Sequence, residues 1–70
     1  SNAEAANRLL IEASAALENG NLTDAKSILR RVLKTAPNDA AAHTLTGIIA
    51  ARENHLTSAE KHLADAAPLK

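Results

Sequence analysis

The 70-residue sequence has no cysteine, no methionine and no aromatic residue, and only two glycines and two prolines. Without cysteine there is no disulfide and no thiolate metal site, although the compartment stays open. Without Phe, Tyr or Trp there is no platform on which single-stranded bases can stack. No apolar run approaches the ~20 residues that a membrane-spanning helix needs. Charge of one sign is not in excess either, because eight Lys and Arg balance eight Asp and Glu. Nucleic acid and anionic membrane surfaces therefore have no global electrostatic claim on the chain. What remains is aliphatic: 17 Ala, ten Leu, four Ile and one Val. Such a composition brings helices close together but buries less area than aromatic residues do. One small domain is the upper bound for this length, and modest stability is expected of the chain alone.

The opening Ser1-Asn2-Ala3 has the form of a scar left by tag removal and is set aside from the fold. Residues 4–19 are rich in Ala, Leu and Glu, strong helix formers. Leu9, Ala13, Ala16 and Leu17 fall at helical spacing on one face. Asn19-Gly20-Asn21 is expected to stop this helix, with Gly20 in the left-handed conformation. Thr23 is the expected N-cap of a second helix, whose stripe is Ala25, Ile28, Leu29, Val32 and Leu33. Pro37 closes it, since the residue before a proline is disfavoured in helix. Asn38 or Asp39 can cap a third helix to about Glu53. After Glu53-Asn54-His55, Thr57 and Glu60 form a capping-box pattern that predicts a fourth helix ending near Pro68. The expectation is an all-α chain of four antiparallel helices with short connections.

The sequence repeats itself with a period of 34. Leu22-Thr23-Asp24-Ala25 returns as Leu56-Thr57-Ser58-Ala59, and Ala6 aligns with Ala40, Ala16 with Ala50, and Leu29 with Leu63. Ala13 meets Gly47 at a matching small position. Self-similarity at this length signals a solenoid unit whose apolar face is covered by the next copy. In period, in the small residues Ala13, Gly47, Ala25 and Ala59, in the turn residue Gly20 and in the closing Pro37, the chain resembles two tetratricopeptide repeats. The resemblance implies two helix-turn-helix repeats, residues 4–39 and 40–70, stacked as a short right-handed α-solenoid. There are departures. The family's aromatic positions hold Leu9, His43, Ala16, Ala50, Leu22 and Leu56, Asn54 replaces the turn glycine of the second copy, and Pro68 comes early.

No catalytic constellation is legible. None of the hydroxyls sits in a nucleophile elbow, and Gly20 and Gly47 are too far apart for a phosphate loop. His55 and His62 stand two helical turns apart, and His43 is expected to be partly packed, so no metal site or cofactor is called for. Lys26, Arg30, Arg31 and Lys34 put half of the basic residues on the second helix. A solvated face is the plainer reading of them, ahead of a docking stripe for an acidic partner or a phosphate backbone. The family resemblance implies a concave groove lined by the first helix of each repeat. Carried onto this chain, it holds Asn7, Leu10, Ile11, Ser14 and Glu18, then Ala41, Thr44, Leu45, Ile48 and Arg52. Leu10, Ser14 and Leu45 stand where some members carry a Lys and Asn clamp for carboxylate tails, so that clamp is absent. The expected function is a non-catalytic scaffold binding a protein or peptide. The alternative is an accessory segment of a larger enzyme of the transferase or hydroxylase type, positioning a protein substrate. Two repeats fall short of the roughly three that stand alone, so further repeats or a homodimer are expected. The chain reads as soluble, with the cytoplasm slightly favoured.

Overall fold

The computed structural model describes the backbone of residues 1–66 and the side chains of residues 1–62. It contains three helices: α1 (Asn2–Glu18), α2 (Leu22–Thr35) and α3 (Ala40–Ala66). Helix α1 begins earlier than expected, because the Ser1 hydroxyl accepts from the Glu4 amide at 3.3 Å and acts as its N-cap. The three residues set aside from the fold are thus built into its first turn.

The turn between α1 and α2 does two jobs with three residues. The Gly20 amide donates to the Leu17 carbonyl at 3.0 Å and the Asn21 amide to the Ala16 carbonyl at 2.9 Å. This is the Schellman pattern, and it needs a left-handed residue, which Gly20 supplies at φ +76°. Asn21 then accepts from the Asp24 amide at 3.3 Å and is the N-cap of α2. Asn21 takes the place expected of Thr23, which lies inside the first turn. At the far end Ala36, immediately before Pro37, leaves the helical region at φ −132°, ψ 78°. Asp39 opens α3 by accepting from the Ala42 amide at 2.8 Å.

The apolar stripes meet as their spacing predicts. Ala6, Ala13, Ala16 and Leu17 of α1 and Ala25, Ile28, Leu29 and Val32 of α2 are buried, joined by Ala42 and Ile49 of α3. Leu9, Leu10, Leu22, Leu33 and Leu45 pack around them. Ala25 is fully buried and Ala13 is 1% exposed, and small residues at both places let the helix axes approach closely.

The second copy departs from the first. Instead of a turn at 53–55 and a fourth helix, α3 runs unbroken for 27 residues, about 40 Å at 1.5 Å per residue. The cause is local. Asn54 stands where Gly20 stands in the first copy; Asn can enter the left-handed region, but less readily than Gly, and here it stays helical. His55 stands in the place of the cap Asn21 and has no short oxygen to offer. Thr57 is not a cap either; its hydroxyl donates to the Glu53 carbonyl at 3.0 Å, in the middle of the helix. The four antiparallel helices expected are therefore replaced by three among the described residues, and Leu56, the counterpart of the packed Leu22, is 54% exposed. The Cα radius of gyration is 15.6 Å and the longest dimension 61 Å, against about 11 Å for a compact chain of this length. Pro68 lies outside the described residues, as does the side chain of Leu63.

Two polar contacts fix α3 beside the α1–α2 pair. Lys26 Nζ is 3.0 Å from Glu53 Oε2, and Arg52 Nη1 donates to the Leu17 carbonyl at 3.3 Å. The guanidinium thus meets the negative end of the α1 dipole. Both members of the Lys26–Glu53 pair are about two-fifths exposed, so solvent screens their attraction. A double-mutant cycle with Lys26→Ala and Glu53→Ala, read from urea unfolding, is expected to give a coupling of about 0.2–1 kcal/mol. The coupling should shrink in about 1 M salt, where the Debye length is about 3 Å. A coupling that salt leaves unchanged would mean the contact is not an ion pair in solution.

Candidate interaction grooves

Helix α1 and the first turns of α3 flank a groove of about 390 Å³ lined by Leu10, Ile11, Ser14, Ala15, Glu18, Ala41 and Leu45. Six of the ten residues expected of a binding groove are thus brought together. Ile11 is 70% exposed, whereas Leu10 and Leu45 lean on the core. The walls are aliphatic, with the Ser14 hydroxyl and the Glu18 carboxylate as the polar groups.

The other four residues stand elsewhere. Asn7 lines a separate hollow with Ala6, Thr35 and Asp39. Thr44 is exposed on α3. Ile48 and Arg52 face the α1–α2 turn, in a second groove of about 650 Å³ shared with Leu22, Ala51, His55 and Leu56. Arg52 is already committed to the Leu17 carbonyl. The sequence pattern does not predict the apolar lining of this second groove, because a break expected at Glu53-Asn54-His55 separates Leu56 from Ile48 and Ala51. The signal that could have found it is the missing turn glycine at Asn54.

Lys26 leaves the basic stripe for its pair with Glu53, while Arg30, Arg31 and Lys34 remain exposed. His43 is exposed too, not packed in an aromatic's place. Its Nε2 lies 2.7 Å from the Pro37 carbonyl, so that nitrogen carries the proton it donates. Among the described residues no group of three or more His, Asp or Glu side chains comes together in a way that could hold a metal ion. No helix among them is long and apolar enough to cross a membrane.

The tetratricopeptide repeat family model matches residues 10–70. The chain belongs to the tetratricopeptide repeat family, whose repeats generally mediate protein–protein interaction and are typically non-catalytic scaffolds. No curated protein and no solved structure matches the chain significantly.

Proposed function

We propose that the chain is a non-catalytic interaction module that binds a peptide or an amphipathic helix in the groove between α1 and the first turns of α3. In this reading α1, α2 and the start of α3 form one and a half repeats of a right-handed solenoid, and the groove is its concave side. The observation that carries it is the side-by-side placement of Leu10 and Ile11 with Ala41 and Leu45. A mostly aliphatic trough with the Ser14 hydroxyl and the Glu18 carboxylate among its lining groups suits a ligand that presents apolar anchors at helical or extended spacing. The groove lies within the size range of pockets that hold such anchors.

The test uses a library of phage-displayed random peptides selected on the immobilised chain. Ile11→Asp places a charge in the trough at a side chain that is 70% exposed, so stability should stay within about 0.5 kcal/mol. Peptides selected on the unaltered chain are expected to bind the variant at least ~10-fold more weakly, since an apolar anchor then meets an unpaired charge. Equal binding by a folded Ile11→Asp variant would move the site out of this groove.

A further inference from the structure

The first repeat supplies a template for the second. Within it, α2 covers α1: Ala25 is fully buried, Ala13 is 1% exposed and Leu29 is 2% exposed. Moved by 34 residues, the covering helix starts at 56 and the covered one ends at 52, so within α3 the matching segments are 56–66 and 40–52. The structure leaves that second pair apart. Gly47, the counterpart of Ala13, has nothing within 4 Å of where a Cβ would stand. Ala40, His43, Ala50 and Ala51, the counterparts of Ala6, Leu9, Ala16 and Leu17, are exposed, and beside them Ile48 (39% exposed) and Leu56 (54% exposed) line the open 650 Å³ groove together with Ala51. A face patterned for a helix is thus bare, while the helix patterned to cover it extends away on the same chain. With residues 53–55 helical, segment 56–66 cannot fold back onto its own 40–52.

We infer that a second copy of the chain covers this face, with segment 56–66 of each α3 packed on segment 40–52 of the other. The two long helices then run antiparallel about a two-fold axis beside Asn54 and His55. Each copy gives what it receives, so the interface is isologous and closes as a dimer. The occupant is specified by the internal repeat, which makes 56–66 the counterpart of the segment already seen covering α1. Segment 40–52 includes Ala41 and Leu45, which also line the groove proposed to bind peptides.

The experiment is light scattering with refractive-index detection, since the chain has no Trp or Tyr to absorb at 280 nm. It spans chain concentrations from about 1 μM to about 1 mM, the range in which modest affinities show. The unaltered chain is expected at the mass of two chains. Ile48→Asp and Leu56→Asp alter side chains that are already partly exposed, so α1 and α2 should stay folded, which circular dichroism checks. Each change enters the interface twice and should weaken the dimer at least ~100-fold. Asn54→Gly restores the residue that makes the first turn, lets 56–66 close on its own chain, and should move the mass to one chain with helicity retained. A single-chain mass for the unaltered protein at every concentration would overturn the inference. So would a dimer that Ile48→Asp and Leu56→Asp leave intact, or one that Asn54→Gly does not weaken.

Discussion

Leu29→Ala is expected to cost about 2–5 kcal/mol, the range for truncating a buried leucine to alanine. Leu29 is 2% exposed and is among the largest fully buried side chains. Among the described residues half of the ten buried apolar side chains are alanines, so the five larger ones, with the leucines packed around them, supply most of the aliphatic volume. Domains of 70 residues have roughly 3.5–10 kcal/mol of stability in all, so this loss takes a large share of the total or exceeds it. Urea unfolding followed at 222 nm should show the midpoint collapsing, with part of the population unfolded before denaturant is added. Ile11→Ala is the control; at 70% exposure it should stay within about 0.5 kcal/mol. Equal losses at the two positions would mean that α1 and α2 do not pack through the Leu29 face.

The α1–α2 half of this fold is legible because every signal in it points the same way. The stripe from Ala25 to Leu33, the left-handed Gly20 and the stop before Pro37 each specify the same pair of helices. The misreading of the second half came from treating the two copies as equivalent. Leu56, Thr57 and Ala59 match their partners in the first copy, but a repeat pattern says what a segment can pack against and not whether the chain turns there. The turn depends on Gly20 and Asn21, and the second copy has Asn54 and His55 instead. Thr57 and Glu60 satisfy a capping pattern that becomes relevant only where a helix starts. Leu10, Ile11, Ala41 and Leu45 could be grouped only through the family resemblance, since spacing alone does not bring α1 beside α3. Ile48 and Arg52 lie apart from them, beside the α1–α2 turn, where Arg52 donates a hydrogen bond to the Leu17 carbonyl at the C-terminal end of α1.

The same reasoning sets apart two substitutions that the repeat alone would treat alike. Ala25→Leu should cost about 1–3 kcal/mol, because a larger side chain in a close-packed site forces the helices apart. Ala25 is fully buried, and the rigid α1–α2 turn leaves little freedom to widen the crossing. Ala59→Leu falls at the matching position in the second copy, but Ala59 is only partly buried on the unbroken α3. Leu and Ala differ little in helix propensity, so at dilutions that separate any dimer the change should stay within about 0.5 kcal/mol. Urea unfolding of both variants at low concentration measures the contrast. Comparable costs at the two positions would mean that segment 56–66 packs on its own α3 in solution as α2 packs on α1, and that the turn forms without its glycine. Tolerance at both would instead deny the close approach of α1 and α2 on which the core depends. A large cost at Ala25 alone would show that the turn residues, and not the echo between the copies, decide where a helix finds its partner.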